Sequence, residues 1–171
     1  MRLLKAAVAL LLVVVSAATA FRIVLPSIQC NDAKARANAA TIPGDRARRP
    51  FEEMRRARRT VAECERCRQA IPNDAEFRTL LASSQHVLGM DDEAERNYER
   101  SLALNERAQT YAFLALLQLD HGRIEEARQN LYHACLFDIS LAELVSWPMR
   151  GEIYQAVMKR HERLRGSKPT N

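Results

Sequence analysis

Glycine and proline are scarce in this chain, with five and six among 171 residues, and aromatic residues make up only 6%. A β-sandwich or barrel needs many tight turns and strands rich in aromatic or β-branched side chains, so both shortages argue against an all-β fold. Lysine is nearly missing too, since 22 of the 26 basic residues are arginine. That bias reads as GC-rich bacterial coding rather than as a binding signature. What abounds is Ala, Leu, Arg and Glu, the residues of helices. Hydrophobic residues at 47% and charged residues at 27% match a folded domain, and the length suits one domain of ordinary size. An all-α fold is expected.

The first twenty-five residues concern address. Arg2 and Lys5 precede an apolar run that is broken only by Ser16 and Thr19 and closes on Ala18-Thr19-Ala20. That is the build of a secretory signal, with cleavage expected after Ala20. Apolar character resumes at Ile23, Val24 and Leu25, so residues 6–25 equally fit an uncleaved anchor across roughly 30 Å of hydrocarbon. The sequence leaves both open. Either one predicts a periplasmic chain, soluble after cleavage or anchored to the inner membrane, because Arg2, Lys5 and the α-amine hold the N-terminus inside. Residues 26–49 carry Pro26, Pro43 and Gly44 with no sustained apolar period, and read as a linker.

The body of the chain repeats itself. Gly89 and Gly122 are 33 residues apart, as are Leu81-Ala82 and Leu114-Ala115, Ala94 and Ala127, Tyr98 and Leu131, and Ser101 and Ala134. A fixed period near 34 built from two helices marks a helix–turn–helix array. The first helix of each copy carries an apolar stripe, Leu80, Leu81, Val87 and Leu88, then Phe113, Leu114, Leu117 and Leu119. Glycine ends that helix, acids open the next (Asp91–Glu93, then Glu125 and Glu126), and Ala94 and Ala127 let paired helices approach closely.

This pattern resembles the tetratricopeptide repeat family across about residues 75–139. Leu81, Ala82, Gly89, Ala94, Tyr98, Ser101 and Leu102 occupy the signature positions of the first copy, and Leu114, Ala115, Gly122, Ala127, Leu131 and Ala134 those of the second. The usual opening aromatic is Arg78 in one copy and Tyr111 in the other, and the closing proline is replaced by Glu106 and Ile139. The resemblance implies a short, right-handed solenoid of antiparallel helix pairs, with repeats at 74–106 and 107–139. A degenerate half repeat at 50–73 would cap one end, with Phe51, Met54, Ala57, Val61, Cys64 and Cys67 on one face. Residues 140–171 would supply a C-terminal capping helix, with Met149, Ile153, Ala156 and Val157 facing inward, and a tail.

Catalytic chemistry is sparse. Cys64-x-x-Cys67 lacks the following His of haem attachment and a second pair for zinc, and it falls inside a helix rather than at an exposed N-terminus. Both thiols read first as buried packing residues. In an oxidising compartment a disulfide from Cys30 to Cys64 or to Cys67 is also open. No metal, cofactor or catalytic residue is expected, since Asp120-His121 has no nucleophile or oxyanion donor beside it. The arginines of 46–68 are interleaved with Glu52, Glu53, Glu63 and Glu65 and read as a solvated helix face, and nucleic acid does not suit an exported chain.

The expected function is therefore a non-catalytic protein–protein interaction module of the bacterial envelope. The family resemblance implies that first helices line a concave groove for a partner peptide or helix. Here the lining would be Glu76, Thr79, Ser83 and His86, followed by Gln109, Ala112, Leu116, Leu119 and Asp120. The alternative is a binder of polyanions, lipid head groups or anionic glycans, through Arg46 to Arg59 and through Arg150, Lys159, Arg160, Arg163 and Arg165. For topology, a C-terminal phosphatase fusion should be active and a cytoplasmic reporter silent. The reverse result would show that Arg22, Lys34 and Arg36 set the orientation.

Overall fold

The computed structural model describes Cys30, residues 50–68 and residues 70–166. The expected signal or anchor, and the linker apart from Cys30, lie outside the described residues. Among the described residues every regular element is helical and no strand occurs, and no helix is long and apolar enough to cross a membrane. The chain divides into two compact units, residues 1–73 and 74–171.

The first unit carries helix α1, Pro50–Cys67. Proline at the first position loses no hydrogen bond there, and Glu52 and Glu53 sit in the first turn where the helix dipole is positive. Backbone N–H groups of Ala70 and Ile71 donate to the Cys67 carbonyl at 2.9 and 3.1 Å and close the helix. Ala57, Cys64 and Cys67 are buried. The expected apolar face needs correction at its other end, because Phe51 is 77% exposed and Met54 is exposed as well. At 100° per residue Phe51 stands about 140° from Cys64, so one helix face cannot bury both.

The second unit is a run of helices packed on their sequence neighbours. Helices α2 (Ala75–Val87), α3 (Asp91–Leu104), α4 (Ala108–Asp120) and α5 (Ile124–Phe137) are followed by a 3₁₀ segment, Ile139–Leu144, and by α6 (Met149–Gly166). Each helix packs on the next in sequence, α2 also touches α4, and the 3₁₀ segment lies against α5 and α6. Asp74 caps α2, its side chain accepting from the Phe77 N–H at 2.9 Å. Gly89 and Gly122 adopt φ of +73° and +71°. That left-handed turn lets the Met90 N–H reach back to the Gln85 carbonyl at 2.9 Å and the Arg123 N–H to that of Gln118 at 2.8 Å. The two helix–turn–helix pairs are thus closed by the same device.

Packing follows the repeat. Ala82, Ala94, Tyr98, Leu114 and Leu117 form one core cluster, with Leu102 and Phe113 against it. A second cluster joins Ala112, Ala115, Ala127, Leu131, Ala134 and Cys135 to Ala142, Val145, Ile153 and Val157. Ala82, Ala94, Ala115, Ala127 and Ala134 have no exposed surface at all. Two inward assignments fail. Val87 is exposed because α2 ends there and the chain is already turning into Gly89, and Ala156 is exposed beside the buried pair Ile153 and Val157. Ala94→Leu should overpack the α2–α3–α4 contact and lower unfolding stability by roughly 1–3 kcal/mol, read as a fall in melting temperature. An unchanged melt would show that this contact has room.

Candidate functional site

Helices α2 and α4 bring the expected groove residues side by side, but not all of them line a surface. Glu76, Ser83, His86, Leu116 and Leu119 are half-buried, and Gln109 and Asp120 are exposed. His86 Nε2 lies 3.1 Å from Asp120 Oδ2, and Arg107 stands 3.7 Å from Glu76, so the two helices are bridged near both ends. Both pairs are partly exposed, and each contributes about 0–1 kcal/mol. Leu119 packs against the second core cluster, the one that includes Ile153 and Val157 of α6, whereas Leu116 belongs to neither cluster. Leu116 is half-buried and falls between Arg107 and Asp120 along α4.

Two assignments to the groove are corrected. Ala112 is 1% exposed and forms part of the core. Thr79 is buried, and its hydroxyl lies 2.8 Å from Ser101 Oγ and 2.8 Å from Thr110 Oγ1. The Ala75 carbonyl accepts from Ser101 Oγ at 2.6 Å and from Thr79 Oγ1 at 3.1 Å, and in the Thr79–Ser101 and Thr79–Thr110 contacts either hydroxyl can donate. One hydroxyl chain thus ties α2, α3 and α4 together. By sequence Ser101 reads as a small packing residue, and nothing marks Thr110 except that it is a threonine beside an apolar stripe.

A second polar device is visible in the sequence only as a pair of identities. Gln85 and Gln118 match one period apart, as do Asn97 and Asn130. In each helix pair the Asn amide donates to the Gln side-chain carbonyl at 2.8 Å. Between the pairs, Arg123 grips Glu95 through two bonds of 2.6 and 2.8 Å, and His121 Nε2 lies 3.0 Å from Asp91 Oδ2. Bidentate guanidinium–carboxylate geometry fixes orientation as well as distance.

The cysteines resolve as one pair and two thiols. Cys30 is bonded to Cys67, so Cys67 is a cross-link and not the free packing residue expected, and Cys64 stays outside the disulfide. Burial, helped by the neighbouring carboxylates of Glu63 and Glu65, pushes the Cys64 thiol up to about 12, and burial with Asp138 pushes Cys135 up to about 11. Neither is a nucleophile near neutral pH. Among the described residues no group of three or more His, Cys, Asp or Glu side chains could hold a metal ion.

The basic residues also separate. Arg150 is committed to structure, donating to the carbonyls of Val145 and Glu143, both at 2.9 Å. Lys159, Arg160, Arg163 and Arg165 lie on the exposed final turns of α6, and Arg55, Arg56, Arg58 and Arg59 are exposed on α1. Arg46 falls outside the described residues.

No protein-family model matches the chain, and no curated protein matches its sequence.

Thr79→Val keeps the shape of the side chain but takes the Thr79 hydroxyl away from Thr110, Ser101 and the Ala75 carbonyl inside the core. The expected cost is about 1–3 kcal/mol, measured by denaturant unfolding, with Thr79→Ser losing clearly less. Equal losses in the two variants would assign the effect to packing rather than to the hydroxyl chain.

Proposed function

We propose that this chain is a non-catalytic interaction module of the bacterial cell envelope, with its helix pairs stacked as a short tetratricopeptide-like solenoid. Its N-terminal segment directs residues 30–171 out of the cytoplasm, either as a cleaved signal or as an inner-membrane anchor. A partner peptide or helix lies along α2 and α4. The observation that carries this reading is the face those helices share, where Ser83 and Leu116 lie between the Glu76–Arg107 and His86–Asp120 bridges. A half-buried leucine flanked by polar groups suits an amphipathic segment, which supplies one apolar anchor and several hydrogen-bonding partners. The sequential packing of α2 to α5, and the equal turns at Gly89 and Gly122, support the solenoid.

A photo-reactive amino acid placed at Ser83 or at Gln109 tests the assignment in cells. Both positions should cross-link to the same envelope protein, and Glu99 on the exposed side of α3 should not. Adding Leu116→Asp should weaken that cross-link by the equivalent of about 1–3 kcal/mol, the scale of one buried aliphatic contact, while the thermal melt stays close to wild type. Cross-linking from Glu99 alone would place the partner on the opposite face and overturn the reading.

A further inference from the structure

We propose that the outer face of α1 docks onto the surface of an anionic phospholipid bilayer. The structure sorts charges that look mixed in the sequence. Phe51, Arg55, Arg58, Arg59, Ala62 and Arg66 follow one another at offsets of 4, 7, 8, 11 and 15 from the first, which places all six within an arc of about 100°. All are exposed, whereas the buried residues Ala57, Cys64 and Cys67 lie on the other side of the helix. The acids are shed to the flanks and the back. Glu52 and Glu63 are half-buried beside the stripe, Glu53 faces away from it, and Glu65 lies 3.5 Å from Arg68. Among the described residues no ion pair holds Arg55, Arg58 or Arg59, and Arg66 bonds only to the Ala62 carbonyl of its own helix. Four guanidinium groups therefore project from a single face about 22 Å long.

Charge complementarity calls for an anion extended along that length. The apolar end decides which one. Phe51 is 77% exposed and begins the stripe, and Met54 is exposed at its edge. A soluble glycan or polyphosphate would cover the arginines and leave Phe51 in water, whereas a bilayer accepts the ring at its acyl boundary and the guanidinium groups among its phosphates. In the sequence only residues 26–29 separate the apolar run of residues 6–25 from Cys30, which is bonded to Cys67 at the end of α1, and an extended chain from Leu25 to Cys30 reaches no more than about 18 Å. A bilayer reached by that run is within range of α1.

Arginine footprinting with phenylglyoxal and mass spectrometry reads the contact on the full chain. Vesicles of phosphatidylglycerol with phosphatidylcholine are compared with pure phosphatidylcholine at low salt. With anionic lipid in excess, modification of Arg55, Arg58 and Arg59 should fall about fivefold, as when about four fifths of the chain is bound, while Arg96 and Arg100, exposed on α3, stay unchanged. Protection should vanish near 1 M salt, where screening reaches about 3 Å, and should weaken in Phe51→Ala. Equal modification on the two kinds of vesicle, or protection spread evenly to Arg96 and Arg100, overturns the proposal. So does protection by soluble polyphosphate that equals the effect of the anionic vesicles and is indifferent to Phe51→Ala. Because this readout lies on α1, its failure leaves the α2–α4 cross-linking result untouched.

Discussion

Close approach of helices through alanine is the constraint on which the second unit depends. Ala82, Ala94, Ala115, Ala127 and Ala134 are wholly buried, and any larger side chain there would push helix axes apart. Once α2, α3 and α4 are that close, Tyr98, Leu114 and Leu117 complete one core, and α5 can bury Leu131 against α4 and the segment after it. Burial pushes the Tyr98 hydroxyl well above its ordinary range, as a ring held this deep in the packing requires.

Polar groups are admitted to this packing only where they are satisfied. The hydroxyls of Thr79, Ser101 and Thr110 and the Ala75 carbonyl satisfy one another across three helices. A hydroxyl chain of this kind favours one registration of α2, α3 and α4 over neighbouring ones, because a slip by one turn would strand three buried donors. The repeated Gln–Asn bonds do the same within each pair, and Arg123–Glu95 between pairs. The face shared by α2 and α4 inherits its shape from these restraints.

The first unit follows a different logic. Here a covalent bond holds Cys30 against the end of α1. Cross-linking restricts the unfolded chain. Cys64 sits one turn away, buried and outside the disulfide, and burial pushes its thiol well above the ordinary range. The arginine face of α1 remains open to solvent on the other side of the helix.

Local chemistry is enough to specify the helical class, the 33-residue period and the two turns, and all three are legible along the chain. Glycine at positions 89 and 122 is needed for positive φ, acids favour helix starts, and alanine recurs where helices touch. The same register puts Ser83, His86, Leu116 and Asp120 on helices that prove to be neighbours. Which inward-pointing residues end as surface depends on what packs over them. Thr79 and Ala112 occupy groove positions by register yet are buried, and a period of 3.6 cannot tell a concave face from a buried one. The pairing of Cys30 with Cys67 rather than Cys64 is equally a matter of three-dimensional placement, because two cysteines three residues apart on one helix face are equivalent until the fold brings up their partner. Charge behaves the same way: along the chain the arginines of α1 are flanked by glutamates on both sides, and the choice of buried face sorts them into an arginine stripe and its acidic flanks.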